Sequence, residues 1–151
     1  MTSSRARGEE LPAHCVTVLP MRVRFFETDL MGIVHHAAYL TYVEAGRVEY
    51  LRARGADYRE MARSGYHMPV VEASLAYKRP AYFDDELVVE TRLAALTRIT
   101  TRFEYRILRG NELLATASTL LACVDAAHKP RRIPEEIAGM LVLREMEMRE
   151  G

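Results

Sequence analysis

Residues 99–107 alternate in character without a break. Ile99, Thr101, Phe103, Tyr105 and Ile107 share one side, and Thr100, Arg102, Glu104 and Arg106 share the other. Side chains of a strand point alternately to its two faces, so the pattern calls for a strand with one buried and one wet face. Strands of that kind belong to antiparallel sheets. Three further segments fit the same sheet: MPVVEASLAYKRPAYF (68–83), ELVVETRLAAL (86–96) and ELLATASTLLACVD (112–125). Asp84-Asp85 and Arg109-Gly110-Asn111 supply turn residues between them.

The first half of the chain has a different period. VTVLPMRVRFF (16–26) reads as a strand, with Pro20 marking it as an edge or an irregular start. Residues 34–54 read as one long helix, because Leu40, Val43, Arg47, Tyr50 and Leu51 recur at helical spacing and Gly55 offers a stop. Tyr39, Tyr42 and Tyr50 are packing residues on it, and Glu44 and Arg47 are spaced for an i,i+3 ion pair. A short helix is expected over 57–63. A C-terminal helix is expected from Pro134, where two glutamates suit the positive helix end and Met140, Met146 and Met148 serve packing. One long amphipathic helix needs a sheet to cover it, which makes this an α+β chain. Residues 1–13 are polar and aperiodic, a flexible N-terminal tail before a single domain over 14–151.

Several function classes are set aside by composition. The 21 basic and 21 acidic residues cancel, which argues against a nucleic-acid partner that needs a strongly basic face. No apolar run approaches the ~20 residues of a membrane span, and the N-terminus lacks the apolar centre of a signal peptide, so a cytoplasmic protein is expected. Cys15 and Cys123 form no CxxC unit and read as free thiols. No cofactor motif, glycine-rich phosphate loop or GxSxG occurs, and Ser74 and Ser118 fall within strands.

The candidate site is FFETDLMGIVHH, residues 25–36. Asp29 precedes a helix, where aspartate often caps free N–H groups. However, a cap would stand immediately before the first turn, and Asp29 lies four or five residues too early. The residues alone leave a cap and a functional carboxylate equally open. A metal site is not expected, since adjacent His35 and His36 point about 100° apart on a helix. Lys78-Arg79-Pro80 reads either as a solvated strand end or as a small cationic patch for a phosphorylated ligand.

The stretch VRFFETDLMGIVHHAAYLTYVEAGR resembles the signature of hotdog-fold acyl-CoA thioesterases of the 4-hydroxybenzoyl-CoA thioesterase-like family. The shared pattern is an aromatic, then D/E-T/C-D-x-x-G-x-V-x-(H/Y), then Y-x-x-(Y/W)-x-E. The resemblance implies a hotdog fold, a curved antiparallel sheet of about five strands wrapped around one central helix. It implies a homodimer, often paired into a homotetramer, with sites at the dimer interface. It implies hydrolysis of an acyl or aroyl thioester of coenzyme A to free acid and thiol. Asp29 would be the general base or nucleophile, and the backbone N–H at His36 would meet the carbonyl oxygen, with the His36 side chain assisting. Gly32, Val34, His35, Tyr39 and Glu44 fall in the substrate-binding part of the motif. Lys78, Arg79 and Arg98 are candidates for the coenzyme A phosphates. Two alternatives stand beside this reading: a thioesterase for acyl groups on a carrier protein, and a non-catalytic acyl-CoA binding module. Many relatives carry tyrosine where this chain has Phe25, so a hydroxyl near the site must come from elsewhere, with Tyr39 and Thr28 as candidates.

Overall fold

Five strands pair into one antiparallel sheet in the order β1-β4-β5-β6-β3 in the computed structural model, which describes residues 16–150, with backbone alone for 143–150. The expected tail 1–13 and Cys15 lie outside the described residues, as do the side chains of Met146 and Met148. The strands are β1 (Val16–Arg22), β3 (Val70–Tyr77), β4 (Glu86–Leu96), β5 (Thr100–Arg109) and β6 (Glu112–Ala122). A small pair, β2 (Tyr66–His67) and β7 (Val124–Asp125), forms a separate two-stranded ladder. The helices are α1 (Ala38–Ala53), α2 (Tyr58–Arg63) and α3 (Glu135–Glu150). This is the hotdog arrangement, with α1 lying across β1, β4 and β5.

The alternation in β5 does what it promised: Thr101, Phe103, Tyr105 and Ile107 are buried and Arg106 is exposed. Ile99 departs from it. It sits in the β4–β5 turn and is 40% exposed. Pro20 is tolerated because β1 is an edge strand, pairing only with β4. Register shifts between Leu93 and Ala95 in β4, and between Val70 and Glu72 in β3, are bulges that bend the sheet.

Two sequence expectations are corrected here. Residues 25–27 are not strand but one 3-10 turn, because β1 leaves its β4 ladder at Arg22 and the Arg24 N–H is taken by the Glu27 carboxylate. The long helix begins at Ala38 rather than 34, since Val34 is held in extended pairing, its N–H donating to the Ala81 carbonyl at 2.8 Å. The far end stops as expected. Gly55, at φ 84°, donates to the Arg52 carbonyl and Ala56 donates to that of Leu51, closing the helix in a Schellman motif.

The buried face of α1 is Tyr39, Tyr42, Val43, Gly46, Arg47, Tyr50 and Leu51, one stripe at i, i+3, i+4 and i+7. Leu40 lies off it, 44% exposed. Arg47 does not pair with the exposed Glu44. It turns into the interior and donates to the hydroxyls of Tyr58 and Tyr105, each at 3.1 Å. At Gly46 the helix approaches β4 closely. A methyl there would stand 2.8 Å from Val89 Cγ1 and press on the Thr91 hydroxyl. Gly46→Ala is therefore expected to lower the melting temperature, overpacking of about 1–3 kcal/mol outweighing the ~1 kcal/mol gain in helix propensity. Adding Thr91→Ala should recover part of the loss, so the double variant melts above the sum of the single effects.

Candidate functional site

Everything between β1 and α1 is arranged around one short hairpin. Thr28 and Val34 pair across it, and Ile33 pairs with Tyr82 on its other side. Asp29-Leu30-Met31-Gly32 is its turn: the Asp29 N–H donates to the Ile33 carbonyl, and the Gly32 N–H to the Asp29 carbonyl, both at 2.9 Å. Asp29 Oδ1 accepts the Met31 N–H at 2.8 Å, an Asx turn. Oδ2 has no partner among the described residues. Gly32 sits at φ 81°, and an added Cβ would meet nothing within 4 Å. Its need is therefore conformational, not one of space within the chain.

After Val34 the chain enters a tight turn in which almost every polar group is spent. The His35 N–H donates to the Glu27 carbonyl at 2.8 Å, and the Ala37 N–H donates to His35 Nδ1. The Ala38 N–H donates to the His35 carbonyl, and the Tyr77 hydroxyl donates to the His36 carbonyl at 3.0 Å. The N–H of His36 alone has no acceptor among the described residues. The two imidazoles stack with centroids 4.2 Å apart.

A groove of about 390 Å³ opens here, lined by Asp29, Ile33, Val34, His36, Tyr39, Tyr77, Lys78, Arg79 and Pro80. Tyr39 forms the buried floor, with its ring edge-on to Tyr77 at 5.2 Å. Burial pushes the Tyr39 phenol up, so it stays protonated. Lys78 is without an ion pair among the described residues, while Arg79 stands 3.6 Å from Glu112. Of the residues picked out in the sequence, the fold brings together Asp29, Val34, His36, Tyr39, Lys78 and Arg79. Gly32 adjoins them in the turn, and His35 faces outward on His36. Glu44 is exposed on α1, outside the groove lining. Arg98 lies in the turn at the far end of the eleven-residue β4, its carbonyl accepting the Ile133 N–H. The Thr28 hydroxyl is spent on the Phe25 carbonyl at 2.7 Å, which leaves Tyr39 as the hydroxyl of that expected pair in the groove. Among the described residues no group of three His, Cys, Asp or Glu could hold a metal ion, and no helix is long and apolar enough to cross a membrane.

Two site residues escaped the sequence reading. Tyr77 is one. The other is Glu27, whose side chain is 4% exposed and bound by Arg24 and Tyr42. Burial raises its pKa, but the Arg24 backbone N–H, the Arg24 guanidinium and the Tyr42 hydroxyl outweigh it and hold the carboxyl below the usual carboxylate range. The stabilisation it gives is complete at neutral pH and is lost only as pH falls through that lowered pKa. Burial and the Glu27 charge together push the Tyr42 phenol far up.

The profile of the thioesterase-like superfamily matches residues 23–141, from the end of β1 into α3. The chain belongs to the thioesterase-like superfamily. An acyl-CoA thioesterase of Haemophilus influenzae, YbgC, is 35% identical over 120 residues, 78% of this chain and 88% of its own length. A hypothetical protein of Thermus thermophilus superposes with a TM-score of 0.79 at 40% identity, over 83% of this chain and 95% of its own. The DHNA-CoA thioesterase of Staphylococcus aureus superposes with a TM-score of 0.80 at 26% identity, over 89% and 91%. Every residue of the groove lies inside the span that the superfamily profile matches.

Proposed function

We propose that this chain is an acyl-CoA thioesterase working in the groove beside the 28–34 hairpin. One observation carries the reading: Asp29, whose carboxylate keeps a free oxygen, and His36, whose backbone N–H is unspent among the described residues, line the same groove. Hydrolysis of a thioester builds negative charge on the carbonyl oxygen, and a fixed N–H aimed at that oxygen lowers the barrier. The ionised Asp29 either takes a proton from the attacking water or attacks the carbonyl carbon itself. Both routes break the carbon–sulfur bond. In the first, the proton Asp29 takes from water passes to the departing thiolate. In the second, the thiolate leaves a mixed anhydride that water then hydrolyses to the free acid and the Asp29 carboxylate, the water supplying the thiol proton. The His36 imidazole sits beside the leaving group. Lys78 and Arg79 at the groove suit the phosphates of coenzyme A.

A second copy of the chain belongs in this reading. Strand β3 is one of the two edges of the sheet and the more exposed one, with seven of its eight residues exposed. An uncovered edge of that length invites pairing with another strand. Tyr77 at its end is part of the groove, so the partner would close the site. We place a homodimer there, in which two copies of β3 run antiparallel.

The test is hydrolysis of hexanoyl-CoA and benzoyl-CoA, with the same two acyl groups on an acyl-carrier protein for comparison. Turnover of at least one CoA ester, faster than its carrier-bound counterpart, is expected. Binding of coenzyme A without any hydrolysis would leave a binding module, and faster turnover of the carrier-bound ester would move the substrate to the carrier protein. A single turnover in 18O-labelled water tests for direct attack, because label enters the Asp29 carboxylate only when a mixed anhydride forms and water opens it at the Asp29 carbonyl.

A further inference from the structure

We infer that Glu27 is a positioning residue, its buried carboxylate locking the Asp29 hairpin and the His36 turn onto α1 and so setting kcat rather than KM. The inference rests on the thioesterase reading above and goes one layer beneath the groove. Glu27 does not line it. Yet both functional groups hang from Glu27. Asp29 follows it by two residues, and its own carbonyl takes the His35 N–H, the amide next to the His36 donor.

What fixes Glu27 is visible atom by atom. Its Oε1 accepts two hydrogen bonds, from the Arg24 N–H at 2.8 Å and from the Tyr42 hydroxyl at 2.8 Å. Its Oε2 takes the Arg24 guanidinium at 2.7 and 3.0 Å. The guanidinium side is the lesser tie, because the Arg24 side chain is 62% exposed and a solvated ion pair contributes little. The Tyr42 tie is of another kind, since Tyr42 is 1% exposed in the body of α1. Tyr42 in turn packs edge-on against Tyr39, the groove floor, at 5.7 Å. A carboxylate buried this deeply is costly unless its bonds hold, so loop and helix keep one relative position.

The asymmetry between the two oxygens yields a sharp test. Glutamine keeps a carbonyl oxygen in the place of Oε1 but turns an NH2 toward the Arg24 guanidinium, which at 62% exposure can swing into solvent, so Glu27→Gln should lose far less than Glu27→Ala. Glu27→Ala loses both ties. Tyr42→Phe loses the helix tie alone and provides a milder variant should Glu27→Ala fail to fold. Kinetics on hexanoyl-CoA and benzoyl-CoA are combined with hydrogen–deuterium exchange over peptides covering 28–37. The expected result is faster exchange in those peptides for Tyr42→Phe and Glu27→Ala, with the rest of the sheet unchanged. With it comes a kcat loss on the order of 10–100-fold for Glu27→Ala, several-fold for Tyr42→Phe, and little change in KM. Unchanged exchange over 28–37, a Glu27→Gln variant as impaired as Glu27→Ala, or a loss appearing wholly in KM would each overturn the inference. If the wild type hydrolyses neither ester, the thioesterase reading fails by itself, and the exchange data still decide whether Glu27 holds the loop.

Discussion

Replacing Asp29 by asparagine is expected to cut kcat on the order of 10³-fold while leaving the fold intact. The choice of asparagine is dictated by the turn. Asp29 Oδ1 accepts the Met31 N–H, and an asparagine carbonyl oxygen can accept it equally well. Gly32 at φ 81° and the two backbone bonds of the turn do not involve the side chain, so the hairpin survives. What disappears is the negative charge, and with it the capacity to take a proton or to attack a carbonyl carbon. Asp29→Ala removes the turn bond as well and confounds the two roles. An Asp29→Asn variant with near-wild-type turnover and an unchanged melting temperature would reduce Asp29 to a turn former and sink the site assignment. An inactive variant with an intact melting curve separates chemistry from architecture.

The ladders were legible in the sequence because burial on one face writes itself as alternation. Residues 86–96 were delimited as the strand they form, and Gly55 marked the end of α1 by its own chemistry. The failures have physical causes of a different sort. Val34 to Ala37 continue a helical pattern, yet Val34 is captured by the Ala81 carbonyl of a segment nearly fifty residues away, which no local pattern reports. Arg47 looked like half of a surface pair, and its burial depends on two tyrosine hydroxyls supplied by α2 and β5. Leu40 looked like core, and the stripe that is buried runs through Tyr39 and Gly46 instead. In the site, the motif string picked out Asp29 and His36 because they sit beside a turn and a helix start. Lys78 and Arg79 reach the groove only through the β3–β6 pairing. Glu27 stands at the D/E position of the motif string but received no role, because no local pattern reports that its carboxylate is buried against Tyr42. Its signal was the three-residue step back to Arg24, the spacing at which a side chain can cap a turn.

Lysine placed on both faces of β3, by Ala73→Lys with Ala76→Lys, is expected to yield a monomer with kcat/KM reduced on the order of 100-fold. Both alanines are exposed, so the longer side chains cost the folded chain little by themselves. Their partners on β6, Thr119 and Thr116, carry no charge that would answer them across the ladder. In a two-fold pair of β3 strands the same surface meets itself, so the added lysines bring like charges to both faces of the seam. Like charges opposed across a strand pair are destabilising, and edge lysines are a common means of preventing such pairing. Activity should follow assembly because Tyr77, which ends β3, both lines the groove and holds the His36 carbonyl. Sedimentation velocity and initial rates at matched concentrations measure the two effects together, and the melting temperature reports whether each chain remains folded. A wild-type chain that sediments as a monomer while hydrolysing thioesters at full rate would remove the second copy from the site. A folded, monomeric double variant that keeps its rate would do the same. Loss of rate in step with loss of dimer, in a chain that still melts cooperatively, makes the open edge of β3 part of the catalytic apparatus.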